Sequence, residues 1–270
     1  MLRLLLYMVL PLIAAWVGVS LALGKGRAVD AWRGTWTVYK KELKTYVIGP
    51  IPYLLILLMS ALASFFVFQQ GHYFLYRQAT VGTLPEILPY AFAVFVPALS
   101  MRMWSEEIRG ETLETLMTSP VPVKSLVLGK FLAGLTIVAA GLAATAGIPI
   151  TAAFYGNLDT GPVWGVYVGA LLMAGAFMAL GLWLSSLTRN QIVAFLVGLA
   201  ACLALVLLET TTGFLAGSQF ARTLGSLSAS VRFRSIARGV VDLRDVAYFL
   251  SFIVFFLYLN VETVENRRHR

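Results

Sequence analysis

Ser105–Pro120, SEEIRGETLETLMTSP, is the most polar run between two long apolar segments, and read as a helix it sorts by face. Glu107, Glu111, Glu114 and Thr118 align on one side, while Ile108, Leu113, Leu116 and Met117 align on the other. Like charges at such spacings repel by a few tenths of a kcal/mol per pair. An isolated helix gains nothing from that arrangement, whereas a basic partner surface accounts for it.

Outward from this run the chain is greasy. The 270 residues are 59% hydrophobic and 13% charged, where soluble domains carry about a quarter charged, and the mean hydropathy is +0.81. Such a chain is an integral membrane protein. Its formal net charge of +8 could suggest nucleic acid, but most Lys and Arg flank apolar runs, where anionic lipid headgroups and the positive-inside bias explain them. No nucleic-acid partner is expected. Cys202 is the only cysteine, which leaves neither a disulfide framework nor a thiolate metal site within one chain. His72 and His269, the only histidines, stand far apart and outside any HExxH-like pair.

Leu2–Leu23 is apolar apart from Arg3 and, at about 20 residues, long enough to cross a bilayer. Cleavage behind it would strand Lys25, Arg27, Arg33, Lys40, Lys41 and Lys44 outside, against the positive-inside bias. Residues 1–24 therefore read as an uncleaved extra span or signal anchor, with an upstream start or an appended extension as the alternative. Within residues 25–50, Trp32, Trp36, Tyr39, Leu43 and Tyr46 recur at helical spacing, with Arg33, Lys40, Lys41 and Lys44 on the other side. That pattern suits a helix lying in the cytoplasmic headgroup plane; a basic juxtamembrane linker is the plainer alternative. Gly49, Pro50 and Pro52 then turn the chain into the membrane.

Six spans follow within residues 51–262: 51–68, 87–103 with Pro89 and Pro97 as kinks, 123–154 long enough for tilt or for a break near Pro149, 163–187, 192–208 and 246–261. Their alternation leaves SEEIRGETLETLMTSP and the basic tail 263–270 in the cytoplasm. It puts 69–86, with His72 and Arg77, and 209–245 outside. The second outer segment strains the positive-inside rule, because it carries Arg222, Arg232, Arg234, Arg238 and Arg244. An outer amphipathic segment keeps the six spans, with Leu224, Leu227, Val231, Phe233 and Ile236 resting on lipid and the arginines on phosphates.

What the chain lacks narrows its function. No GxxxxGK[ST] occurs, so this chain is not expected to hydrolyse ATP by itself. It has no GxSxG elbow and no cluster of metal ligands. Its span interiors are almost bare of ionisable groups, unlike the midplane paths of ion-coupled carriers. The exceptions are Lys130, near the inner end of its span and able to snorkel, and Glu209, at the outer end of another, where solvation competes with a gate or substrate-path role. Gly165 and Gly169 form a GxxxG, and Gly134, Gly141, Gly175 and Gly181 add close-approach points; intrachain packing explains them more simply than a dimer seam.

The run Glu106-Glu107-Ile108-Arg109-Gly110-Glu111-Thr112-Leu113-Glu114-Thr115-Leu116-Met117-Thr118-Ser119-Pro120-Val121, followed by Val127-Leu128-Gly129-Lys130-Phe131, resembles the signature of ABC-2 type transporter permeases. That signature reads E-x-x-x-G-T-x-E-x-L-x-x-x-P and then V-L-G-K. The likeness extends from about Tyr39 to the end and includes Lys41-Glu42-Leu43. Gly239–Val246, ahead of the last span, is most similar to the gliding-motility and copper-site-maturation branches. Two departures stand out. The glycine falls at Gly110, one place before its usual position, which Glu111 fills, and residues before about Trp36 match nothing in the pattern.

The resemblance implies an all-α polytopic membrane protein, with a six-span, type V exporter-like transmembrane domain, an N-terminal interfacial helix and a cytoplasmic coupling helix. Coupling would run through Glu106, Glu107, Ile108, Arg109, Gly110, Glu111, Thr112, Leu113, Glu114 and Leu116. The interfacial helix, with Trp36, Tyr39, Lys40, Lys41, Glu42, Leu43 and Lys44, would brace it. Glu107, Glu111 and Glu114 would meet basic residues of a separate ATP-binding subunit, and Ile108, Leu113 and Leu116 its apolar surface. The implied working unit is two permease chains, identical or not, with two ATP-binding chains that hold the ATP and Mg, in a bacterial cytoplasmic membrane with the C-terminus inside. Export driven by the partner's ATP hydrolysis is the expected function. The sparse polar lining of the spans leaves a second reading, a mechanical scaffold relaying ATPase motion to a membrane partner with an extracytoplasmic domain; a secondary carrier or channel fits least.

Overall fold

The computed structural model describes residues 25–70, 82–112, 121–156, 158–214, 228–239 and 242–268, and every regular element among them is helical. In order these are α1 (Lys25–Ile48), α2 (Pro50–Phe65) continuing into a π-helical turn (Phe66–Gln70), α3 (Leu84–Ser100), α4 (Arg102–Arg109), α5 (Val123–Ala144), α6 (Gly147–Tyr155), α7 (Thr160–Leu187), α8 (Gln191–Phe214), α9 (Ala229–Ala237) and α10 (Leu243–Arg268). Six stretches are long and apolar enough to cross a membrane: Pro50–Gln69, Leu84–Arg109, Val123–Phe154, Thr160–Leu187, Gln191–Glu209 and Leu243–Arg267. They coincide with the six spans expected from hydropathy, and the protein is an all-helical, multi-pass membrane protein. The expected segment 1–24, and His72 and Arg77 of the first outer loop, lie outside the described residues.

Proline places the breaks. The second span runs through Pro89 and Pro97 and breaks at Met101, whose N–H still donates to the Pro97 carbonyl at 2.9 Å. Ser185 of α7 satisfies the backbone groups freed there. Its Oγ accepts from the N–H groups of Trp104 and Ser105 at 3.2 and 3.3 Å and donates to the Met101 carbonyl at 2.9 Å, which is how membrane helices tolerate such interruptions. The third span was expected to tilt or to break near Pro149; it breaks, at Thr145 and Ala146, between α5 and α6. Pro149 has no N–H to donate and its ring clashes with the carbonyl four residues back, that of Thr145.

α7 is the core of the bundle, touching α3, α4, α5, α8, α9 and α10. Met173, Phe177, Met178 and Leu182 on it are fully buried. Of the six spans' most apolar windows, 78% of the α7 window is buried, against 22% in the first and fifth spans and 11% in the sixth. Those three spans turn most of their apolar side chains outward, where lipid or another chain covers them.

The arginine-bearing segment packs differently from expectation. Phe233 and Ile236 of α9 are fully buried rather than resting on lipid, and they meet the GxxxG of α7. A Cβ on Gly165 would collide with the Ile236 carbonyl, and one on Gly169 would stand 3.0 Å from the Phe233 ring. The small residues thus serve intrachain packing. Arg232 Nη1 lies 2.8 Å from Oδ1 of buried Asp245, and Arg234 pairs with Glu209. Glu209, expected as a solvated or gating carboxylate, is therefore held by a helix that hydropathy could not place. Two arginines that strained the positive-inside rule are answered by carboxylates within the chain. Arg222, Leu224 and Leu227 lie outside the described residues.

Candidate functional site

At the other end of α7, three elements converge: α1, α4 and the first turns of α5. α1 lies against α5 so closely that a Cβ on Gly129 would stand 2.7 Å from Val38 Cβ and 3.1 Å from the Thr35 carbonyl. This is a steric reason for the glycine in Val127-Leu128-Gly129-Lys130. Thr35 and Val38 are buried in the contact, while Trp32 and Trp36 face outward. Trp36 stacks on Tyr39 with centroids 5.0 Å apart, and the Lys40 ammonium lies 5.3 Å from the Trp36 ring centre. α1 therefore has an aromatic face, a lysine face and a third face of Thr35, Val38 and Glu42 against the bundle. The aromatic periodicity concealed that third face; Gly34, Thr35 and Val38, small or β-branched beside the aromatics, were its signal.

Lys130 does not snorkel. Its side chain is 2% exposed, and Nζ lies 2.9 Å from Glu42 Oε1 and 2.7 Å from Glu107 Oε1. The ammonium also sits 5.0 Å from the ring centre of Trp104, a fully buried side chain. A lone buried ammonium would be prohibitively costly, and two carboxylates offset its desolvation. One lysine thus joins α1 through Glu42, α4 through Glu107 and α5 through its own backbone. Nearby, Tyr46 Oη donates to the Leu99 carbonyl at 3.5 Å. Burial raises the Tyr46 pKa well above the usual phenol value, with the charge of Glu42 adding to the shift, so it remains a neutral donor.

The expected coupling residues divide into two groups here. Glu107 and Ile108 turn inward, Glu107 to Lys130 and Ile108 into the hydrophobic core. This departs from the expectation that both face a partner, and the cause is local: α4 ends at Arg109, so no single helix carries Glu107 and Glu111 on one face. Gly110 closes α4, its N–H donating to the Glu106 carbonyl at 2.8 Å. Glu111 then takes the left-handed conformation, φ 57°, where glycine is easiest. Glu111 thus takes a left-handed φ at the position where the signature has glycine, a residue that adopts it most easily. Glu106, Arg109, Gly110, Glu111 and Thr112 are exposed, with Arg102 Nε 3.9 Å from the Glu106 carboxylate. Leu113, Glu114 and Leu116 lie outside the described residues.

Among the described residues no group of three His, Cys, Asp or Glu is arranged to hold a metal ion. The junction offers ion pairing and mechanical linkage. A family model described as ABC-2 family transporter protein matches residues 36–253. No curated protein matches the chain.

Proposed function

The chain belongs to the ABC-2 transporter family, and on that premise we propose that it is the permease subunit of a transporter powered by ATP hydrolysis in a separate subunit. One observation carries the reading: the exposed Arg109–Thr112 turn hangs from α4, and Lys130 pins α4 to the interfacial helix and the third span. A push delivered to that turn reaches two spans and the interfacial helix together, because the linkage is a buried ion cluster rather than a free loop. An ATP-binding partner that grips the turn can bias the bundle between two arrangements. Glu106, Glu111 and Glu114 are the carboxylates left to meet a basic partner surface, since Glu107 is engaged within the chain.

The working unit is two permease chains and two ATP-binding chains in a bacterial cytoplasmic membrane, with the turn and the C-terminus inside. The likeness of Gly239–Val246 to the gliding-motility and copper-site-maturation branches supports a specialised assembly with an extracytoplasmic-domain partner. The test is co-purification of the ATP-binding subunit with the full chain carrying Glu111→Lys and Glu114→Lys. Loss of the partner, with the variant still folded in the membrane, is expected; full retention removes the docking reading. A reconstituted complex that hydrolyses ATP and moves no lipid or solute would give the same junction a purely mechanical role.

A further inference from the structure

We propose that the junction holds one inner-leaflet phospholipid whose headgroup carries both a phosphate and a primary amine. A cleft of about 340 Å³ opens between α1, the start of α2 and α4, lined by Lys41, Thr45, Arg102, Glu106 and Glu107 among others. That volume lies within the range of about 300–1,000 Å³ typical of small-molecule sites. A separate apolar recess between the first three spans, lined by Ile56, Met59, Phe92, Val96 and Ile137, is only about 20 Å³ and too small for a chain. The polar cleft sits beside the interfacial helix at the foot of the first span, with Pro50, Ile51 and Pro52 in its wall. Leu54, Leu57 and Leu58 of that span face outward just beyond it. A mixed-charge cleft at the foot of an outward-facing apolar helix fits an amphiphile with a charged head and a hydrocarbon tail.

The charges select the head. Lys41, Arg102 and Lys130 bring positive charge to the cleft, and Glu42, Glu106 and Glu107 bring negative charge, with Lys130 already paired to Glu42 and Glu107. Arg102 Nε has no hydrogen-bond partner among the described residues, its 3.9 Å approach to Glu106 being too long for one. Glu107 uses Oε1 on Lys130 and has no partner for Oε2. A headgroup with an anion and a hydrogen-bonding cation pairs with both signs at once. A purely anionic headgroup would leave the carboxylates unanswered, and a quaternary amine has no N–H to donate to them.

The experiment needs neither ATP nor a partner subunit, so its result is independent of the transport reading. The purified full chain in detergent is titrated, by native mass spectrometry, with dioleoyl phosphatidylethanolamine, phosphatidylcholine and phosphatidylglycerol, and with glycerophosphoethanolamine as the head without tails. Phosphatidylethanolamine should bind at least about tenfold more tightly than the other two lipids, the worth of one charge-assisted hydrogen bond. Arg102→Gln and Glu106→Gln should each abolish that preference; Glu106 is exposed and Arg102 only half-buried, so the fold should survive. Equal retention of all three lipids, an annular shell only, overturns the proposal. So does a preference that persists in both variants, which would place the head elsewhere. Glycerophosphoethanolamine binding as tightly as the whole lipid would show a soluble phosphate site and refute the role of the tails. Failure of either variant to fold leaves the wild-type comparison of the three lipids to decide.

Discussion

Replacing Lys130 with methionine, a side chain of similar length, removes the one cation that holds α1, α4 and α5 together. At an effective dielectric of about 20, each contact is a gross attraction of roughly 6 kcal/mol, most of which is spent on desolvating the ions. Lys130→Met leaves Glu42 and Glu107, with side chains 13% and 17% exposed, facing each other without a cation. Removing one partner of a buried pair costs about 3–5 kcal/mol. Glu42→Gln is different in kind. The triad carries one net negative charge, so losing one carboxylate leaves the neutral Lys130–Glu107 pair, and a loss of under about 2 kcal/mol is expected, that of one charge-assisted hydrogen bond. Cys202 provides the readout: it is the only cysteine in the chain and is fully buried. A thiol-reactive maleimide dye therefore fluoresces only as the full chain unfolds in detergent. At roughly 2–4 °C per kcal/mol for a chain of this size, Lys130→Met should lower the midpoint by roughly 6–20 °C and Glu42→Gln by no more than about 4–8 °C. Equal midpoints for the two variants, or Lys130→Met melting with the wild type, would show that the cluster carries no structural weight.

Three further outcomes follow from the same geometry. Glu111→Gly places glycine at the left-handed φ of 57° and should raise the unfolding midpoint, worth about 1 kcal/mol; a lowered midpoint would mean that the Glu111 carboxylate contributes more than its backbone strain costs. Gly165→Ala should destabilise strongly, because its Cβ meets the rigid Ile236 carbonyl, whereas Gly134→Ala should be mild, because its Cβ meets the flexible ends of Met103 and Met178; the maleimide assay ranks them, and a reversed order refutes the α7–α9 contact. In a Cys202→Ala background, single cysteines replacing the exposed Lys40 and Arg238 should label with a membrane-impermeant maleimide from opposite sides of sealed vesicles. Labelling from one side would mean that a span has been miscounted.

Hydropathy revealed the six spans because each is a continuous apolar run, and lipid permits nothing else. The breaks were half legible: Pro97 and Pro149 marked the spans that bend, but where each bend falls depends on which neighbour repairs the backbone. Ser185, 84 residues from the Met101 carbonyl that it satisfies, gave no sign of that role. The paired charges were the least legible part. Lys130 lies 88 residues from Glu42, and beside a span end the local pattern fits a snorkelling lysine equally well. Arg232 and Arg234 strain the topology on charge alone because a sequence shows the sign of each charge and hides its partner.

The same blindness explains the split of the acidic run. By periodicity Glu107 and Glu111 belong together, and only the end of α4 separates the carboxylate that locks the junction from the one displayed beyond it. On the proposed coupling, the signature stretch would do two jobs that one continuous helix could not. Its first part is anchored by Lys130 through Glu107, while Arg109–Thr112 is exposed and carries the left-handed residue Glu111. An ATP-binding partner pulling on a wholly exposed helix would bend the loop before it moved the spans. On the proposed coupling, pulling on a turn whose root is clamped by a buried ion cluster would move the clamp, and with it α1 and α5. A variant that unlocks the root, Lys130→Met, should therefore retain the partner while losing the coupling, whereas Glu111→Lys with Glu114→Lys should lose the partner outright. Partner retention together with undiminished ATP-driven motion in Lys130→Met would show that force passes through the turn by some other route.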